Sequence, residues 1–434
     1  MIQVQDLKLE EDVLPFFNFT NNVYAEDKLL YLLQTVPASE MEVTARTGII
    51  KGMISNWAIV GELTYRRLDL LEVYALTENL AGTGLGAPES KLKRWLRLWF
   101  YESERSQVQA KLVQLILLLN GLQQQYLNRL NSAFYPEPFK TELTNAVAFL
   151  NKLNLASRTN LVHEHRFGIS DIVDFWDQLA TIDSQEMRSF WSFLFSFEAY
   201  WSVAKAVQTH EFAFATFEDD TFAITDFYHP IVKKPVKNSI ALDDRQNVLL
   251  LTGPNMSGKS TLLKAVSLCV YLARVGFPVP AAACTVPFFG AVAVAINLND
   301  NLRDGYSHFM AEINNLKAVL QATQNGTRCF AVFDEIFRGT NVDDALEITQ
   351  ATINGLATIA GSYFLVSTHL LQLEEQLNPE NSASIQKCCV ECHLVNGLPT
   401  FTYKLHQGWS QLKIGKILFE KEGLAALLEN KVLA

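Results

Sequence analysis

The sequence is short of several things. Its 434 residues include only 6 cysteines, 13 prolines and 21 glycines, and 19% of them are charged. So few cysteines over this length exclude a disulfide framework. So little glycine excludes a collagen, and so little charge excludes a coiled-coil rod. Basic residues are outnumbered, 36 Lys and Arg against 46 Asp and Glu, for a net charge of −10. No general coat of positive charge is therefore available to grip polyanions. Long apolar runs are missing too: Leu115–Leu119 and Val248–Leu251 fall far below the ~20 residues that span a bilayer. The acidic stretch Met1–Leu14 has no basic segment ahead of an apolar one, so no export signal is visible. These absences predict a soluble, reduced, cytoplasmic protein with no membrane contact. The 49% of hydrophobic residues suffices for two or three packed domains.

What is present divides into two grammars. Up to about residue 215, apolar residues recur at spacings of three and four, as in Leu68, Leu71, Val73, Leu76 and Leu80, which predicts helices. Gly82–Pro88 is the clearest break, so 1–88 reads as a helical core. Beyond it, 89–215 reads as lever-like, with candidate helices from Glu89 to Phe134 and from Ile169 to about Phe214. Each would be roughly 60 Å long at 1.5 Å per residue. From 216 to 434, short β-rich runs alternate with helical stretches: Asn247–Thr252, Cys329–Phe333, Ser362–Ser367, Val390–Val395 and Thr400–Leu405. Continuous apolar runs of this kind suit strands buried on both faces of an α/β sheet.

A phosphate cradle sits inside that second grammar. Gly253-Pro254-Asn255-Met256-Ser257-Gly258-Lys259-Ser260 fits G-x-x-x-x-G-K-[ST], after a strand candidate and ahead of a helix candidate. Glycines let backbone N–H groups turn inward around phosphates, and the helix N-terminus adds a favourable dipole. Lys259 is placed to reach the β- and γ-phosphates and Ser260 to touch Mg2+. Asp334-Glu335, at the end of the run Cys329–Phe333, supply an acid for the metal and a second to polarise the attacking water. No guanine-specificity signal appears, so ATP is favoured over GTP.

These residues resemble the MutS family of mismatch-repair ATPases. LLLTGPNMSGKST is similar to that family's P-loop, with its Asn-Met. Six further segments resemble family motifs in family order: Tyr228-His229-Pro230, Val279-Pro280-Ala281, Asp304 to Glu312, Asp334 to Thr340, Ser367-Thr368-His369, and Tyr403-Lys404-Leu405 with Gly408 and Gly415. Departures are few. Ser257 and Phe337 stand where the family usually has Gly, and Asn297 stands where it tends to have Gly. The resemblance implies a fold, an α/β P-loop NTPase domain of the ABC/MutS type C-terminal to an all-α core and lever region. It also implies roles. Asn255 and the loop amides hold phosphate, Thr261 touches the α-phosphate, and His229 lies near the adenine. Ser260 and Asp334 hold the metal, and Glu335 is the general base. Ser307 points at the γ-phosphate bound by the other protomer of a homodimer, and His369 senses the γ-phosphate.

Other signals carry less. Cys389-Val390-Glu391-Cys392-His393 spells the haem-attachment string, but period-two alternation puts its cysteines on opposite faces of a strand, in a hairpin turning at Asn396-Gly397. Phe100-Tyr101-Glu102 mimics the F-x-E wedge of mismatch readers, yet it lies in a helical pattern. Lys91, Lys93, Arg94, Arg97, Arg105 and Lys111 form a basic run that reads as a solvated face or a phosphate patch. About 215 residues ahead of the ATPase leave no room for a mismatch-reading domain and a connector together with levers and clamp. Two functions remain open. One is a MutS-like ATPase coupled to mismatched or branched DNA, in repair or recombination; the other is a nucleotide-driven protein-assembly switch without DNA. A transporter subunit is disfavoured, since L-S-G-G-Q is missing, and no nuclease-like appendage follows Gly423.

Overall fold

A computed structural model describes every residue except 83–89, 297–307, 338–339, 378–381, 396–397, 411–413 and 430–434. The chain forms two compact units. One comprises residues 17–35 and 41–209, and the other residues 1–16, 36–40 and 210–434.

The first unit is all-helical. Its principal helices are Val23–Gln34, Glu40–Ser55, Arg67–Gly82, Lys91–Phe100, Glu102–Gln125, Phe139–Lys152, Leu155–His163, Ile169–Thr181 and Ser184–His210. Local chemistry starts several of them: the Asn22 side chain accepts from Ala25 N at 2.9 Å, satisfying one of the orphan donors of a first turn. The aromatic helix Ser184–His210 is the hub, burying Phe190, Trp191, Phe197 and Trp201. Its two indoles are polar at one edge and both are satisfied. Trp191 Nε1 donates to Thr77 Oγ1 at 2.9 Å and Trp201 Nε1 to Val60 O at 2.8 Å. Glu198 on the same helix is buried and accepts from Tyr65 OH, from Asn22 Nδ2 at 2.9 Å and from Asn21 N at 2.5 Å.

Two uninterrupted helices of more than 40 residues are not what forms. The longest described helix has 27 residues. The first candidate breaks at Tyr101, with φ −110° and ψ 87°, and again after Gln125. The stripe that looked continuous is two stripes. Leu92, Leu96 and Trp99 are exposed, and Lys91–Phe100 buries Leu98 instead, whereas Glu102–Gln125 buries Leu112, Leu115 and Leu119. The second candidate breaks at Ile182, whose backbone is extended, before Ser184 opens the next helix. Phe100-Tyr101-Glu102 therefore straddles a helix junction. Most of the basic run is neutralised within this unit. Lys91 lies 3.1 Å from Asp174, Arg94 pairs with Asp177, Arg97 lies 3.3 Å from Glu104, and Arg105 lies 3.3 Å from Glu102.

The second unit is a mixed α/β domain. Its strands are β1 (Ile2–Gln3), β2 (Ala215–Phe217), β3 (Thr221–Phe227), β4 (Asn238–Asp243), β5 (Val248–Thr252), β6 (Ala283–Val286), β7 (Ala291–Ala295), β8 (Cys329–Phe333), β9 (Tyr363–Ser367), β10 (Ile385–Val395) and β11 (Leu398–Gln407). The main sheet has the order β1-β7-β8-β9-β5-β10-β11 and is parallel except for the β10–β11 hairpin. The stretch read as helical from residue 1 thus begins with an edge strand. β2, β6, β3 and β4 make a smaller second sheet. Every residue of β5, β7, β8 and β9 is buried, as continuous apolar runs in a covered parallel sheet require. One face of the main sheet carries a core of Phe333, Ile336, Phe337, Val319 and Ile353. The register pairs Leu251 with Ser367 and Phe333 with Val366, so the chain leaves β5, β8 and β9 at one edge, side by side. No helix among the described residues is long and apolar enough to cross a membrane.

Candidate nucleotide site

The first loop at that edge follows β5. Gly253 has φ 148°, and a Cβ there would meet Ser257 Oγ at 3.0 Å and Val390 O at 3.4 Å. Gly258 has φ 94° and caps the helix Lys259–Val275; a Cβ on it would press on the Tyr403 ring at 3.2 Å. Both positions exclude side chains for steric and backbone reasons. Between them, Pro254 and Ser257 are buried, while Asn255 and Met256 are exposed. The Ser257 hydroxyl is buried and has no hydrogen-bond partner among the described residues. Lys259 is 6% exposed, and its Nζ donates to Gly253 O at 2.8 Å and Pro254 O at 3.3 Å. Its ammonium therefore lies across the mouth of the loop, in the position an anion would share.

The second loop follows β8 and brings the acids. Asp334 accepts from the Ser260 hydroxyl through one oxygen and from the Ser367 hydroxyl through the other. Glu335 Oε1 stands 4.0 Å from Lys259 Nζ. Burial pushes the Lys259 pKa down, opposed by the adjacent Glu335 and Asp334 carboxylates. Glu335 sits in the left-handed region at φ 53°. Such a conformation costs a non-glycine residue roughly 1–3 kcal/mol and persists only where neighbours hold it. Here its amide donates to both Ser367 O at 3.1 Å and Ser367 Oγ at 3.0 Å. Ser367, the last residue of β9, thus organises both acids. The sequence marks it only as the serine ahead of Thr368-His369.

His369 lies just beyond β9 and is exposed, as are Ser260 and Thr261 on the first turn of the P-loop helix. Ser307 falls outside the described residues.

A cavity of about 380 Å³ opens beside that helix, lined by Tyr228, His229, Lys234, Asn238, Thr261 and Tyr403 among others. His229 is buried, and its Nδ1 has no partner among the described residues. Its pKa is lowered by burial, with Lys264 adding to the effect and Asp12 opposing it, so the ring is neutral at pH 7. The cavity walls are pinned from several directions. Tyr228 N donates to Pro280 O at 3.1 Å, which ties in the Val279-Pro280-Ala281 segment. Asn238 donates to Tyr403 O at 2.9 Å and accepts from Leu405 N at 2.9 Å, fixing β11 against the cavity. Asn238 is a lining residue that sequence reasoning did not single out, because its partners on β11 are 165 and 167 positions away; Tyr403 stood out only as part of the Tyr403-Lys404-Leu405 motif, with no role attached. A larger groove of about 720 Å³ lies in the helical unit, but its walls carry a Lys152–Glu186 ion pair and no phosphate cradle. Gly258 of the phosphate loop and Thr261 line the smaller cavity.

The comparisons with known proteins fall on this same region. Residues 249–425 match the model of MutS domain V. They are a MutS domain V, an ABC-type ATPase region. The DNA mismatch repair protein MutS of Bacillus licheniformis is 34% identical over 209 residues, covering 46% of this chain and 23% of that protein. The MutS of Geobacillus sp. is 35% identical over 210 residues, 46% of this chain and 24% of its own length. That of Staphylococcus carnosus is 36% identical over 180 residues, 40% of this chain and 20% of the relative. The chain thus spans less than a quarter of the length of these relatives, and the likeness is confined to the ATPase part. An all-helical region followed by a MutS domain V is the architecture expected from the sequence.

The C-x-x-C-H string lies beside the phosphate loop, with Val390 next to Gly253. Cys388, Cys389 and Cys392 lie in β10, which is bulged between Val390 and Cys392. His393 Nε2 faces Glu391 Oε1 at 3.1 Å, with His406 on the same carboxylate oxygen at 3.4 Å. The turn at 396–397 lies outside the described residues. Among the described residues no three His, Cys, Asp or Glu side chains form a metal cage.

Proposed function

We propose that the protein binds ATP with Mg2+ at this site and hydrolyses it, working as a homodimer joined through the ATPase domain. The observation that carries the reading is the Asp334 carboxylate spanning the Ser260 and Ser367 hydroxyls, with Glu335 beside Lys259. The donor set fits the metal: Ser260 and Asp334 are hard oxygen donors already in contact, at the mouth of a phosphate loop. Bound there, Mg2+ supplies charge neutralisation on the phosphates. The protein's own groups do the rest. Lys259 transfers its hydrogen bonds from Gly253 O and Pro254 O to β- and γ-phosphate oxygens, and the loop amides with Asn255 and the first helical turn with Thr261 hold the chain of phosphates. Neutral His229 and Tyr403 border the base. Glu335, as general base, orients the attacking water and accepts its proton. His369 senses the γ-phosphate, and Ser307 approaches the nucleotide of the other protomer, which makes turnover depend on two chains.

Glu335→Gln tests the reading. ATP affinity is expected to stay within a few-fold while turnover drops a hundredfold or more, and normal turnover in that variant removes Glu335 as the base.

We further propose that the nucleotide state is coupled to DNA, mismatched or branched. Support comes from the likeness to proteins named for DNA mismatch repair. Gel-shift titration against homoduplex, mismatched and branched DNA at low salt, with and without ATP, decides it; failure to bind any of them sinks the DNA part. A second reading, a nucleotide-driven protein-assembly switch, is favoured by one observation. Lys91, Arg94, Arg97 and Arg105 are spent on acids of their own unit.

A further inference from the structure

The segment after Glu335 carries a bulky residue in a glycine-like conformation: Phe337 has φ 65°. Glu335 and Phe337 are thus two left-handed non-glycine residues separated by Ile336 alone. Something must hold them there. Ser367 holds the Glu335 amide, and for Phe337 the holding groups come from the helix His308–Gln324. Glu312, only 4% exposed, accepts from Phe337 N at 2.8 Å. The Phe337 ring, 1% exposed, meets Phe309 edge-on, with centroids 6.0 Å apart. Phe309 and Glu312 are three residues apart, on one helix face, so a single element supplies both contacts. A carboxylate on a buried backbone N–H makes one of the stronger kinds of hydrogen bond.

We infer that Glu312 and Phe309 form a latch on Phe337 that keeps Glu335 in its left-handed conformation, making Glu312 a positioning residue for hydrolysis. The inference rests on the reading of Glu335 as general base. With the hydrogen bond gone, Phe337 relaxes towards negative φ, and the Glu335 carboxylate two residues earlier moves with it. Glycine at 337 would hold the same φ without help. A displacement of His308–Gln324 reaches Phe337, and through it Glu335, by the Glu312 hydrogen bond and the Phe309 ring contact among others.

The test uses the full chain with Glu312→Ala, Glu312→Gln, Phe337→Gly and the double variant Glu312→Ala/Phe337→Gly. Two readouts are taken: amide hydrogen exchange across 335–337 without nucleotide, and kcat and KM for Mg-ATP. Glu312→Ala is expected to speed exchange of the Phe337 amide at least tenfold and to lower kcat about tenfold, with KM within twofold. Glu312→Gln, whose amide oxygen accepts the same N–H, restores most of both. In the Phe337→Gly background, adding Glu312→Ala costs less than twofold in kcat. An equal loss in both backgrounds, or an unchanged Phe337 amide in Glu312→Ala, overturns the latch. Should Phe337→Gly fail to fold, Glu312→Gln still decides, since no recovery over Glu312→Ala also overturns it. If exchange responds as expected but the wild type hydrolyses no ATP, the latch stands and the reading of Glu335 falls.

Discussion

Among the described residues of the helical unit, the non-glycine residues with positive φ are Asn154 and His165, flanking the helix Leu155–His163. In the sheet unit, besides Lys8, Glu211 and Asp226, they are Met256, Glu335, Phe337 and Tyr403, all bordering the nucleotide site. Asn is among the residues that tolerate this conformation, and a helix end is a common place for it. Glu, Phe and Tyr do not tolerate it easily, and four such positions around one cleft mark where the fold accepts strain to aim its groups. The hydrogen-bonded acids Glu198 and Asp334 differ in the same way. Glu198 ends in a closed set of partners, Tyr65, Asn21 and Asn22, whereas Asp334 is shared between two hydroxyls at an open edge. One unit spends its polar groups on holding still; the other keeps them where a ligand can compete.

That contrast can be broken in three places. The largest effect is expected from Trp191→Ala, which removes a fully buried indole and its bond to Thr77. It should cost the helical unit about 3–5 kcal/mol in urea denaturation followed by far-UV circular dichroism, while ATP affinity stays within twofold. A parallel collapse of affinity would show that the units are not separable in function. Next comes Ser367→Ala, which frees Asp334 Oδ1 and leaves the Glu335 amide on the Ser367 carbonyl alone. A 10–100-fold fall in kcat with little change in melting temperature is expected; a change in melting temperature alone would make Ser367 merely structural.

The smallest effect concerns Glu198. Burial raises its pKa above the ordinary 4.5, against the pull of its hydrogen bonds. The folded state therefore binds this proton more tightly than the unfolded state does. Its contribution is fully present below the unfolded value and is lost as pH rises through the raised folded value. Stability measured from neutral pH downwards should gain from this group in that window, and Glu198→Gln should flatten the slope. An unchanged slope would mean that Glu198 is charged in the folded protein.

Much of the site was legible because its key residues are contiguous in sequence. The P-loop reads as one octapeptide, and Asp334-Glu335 announce themselves at the end of an apolar run. The strand reading for Cys329–Phe333 matches β8 residue for residue. What was not legible depends on partners far apart. Ser367 gains its role only because the sheet register sets β9 between β8 and β5. Helix lengths failed for a related reason. Spacings of three and four give a stripe its period but not the surface it covers, and Leu92, Leu96 and Trp99 keep the period while facing outward. The break at Tyr101 carries no Gly or Pro to mark it.

The carboxylate of Asp334 has a last consequence, for the order of assembly. It joins Ser260 to Ser367, groups more than a hundred positions apart, so this end of the site exists only after that whole intervening chain has closed on itself. Contacts of such long sequence separation are slow to form, since loop-closure entropy must be overcome before they contribute. The P-loop helix can form early from local interactions alone, but nucleotide that requires Asp334 has nothing to bind until β8 and β9 are zipped against β5. Mg-ATP added to a refolding chain should therefore leave the early phases unchanged and act only on the final one.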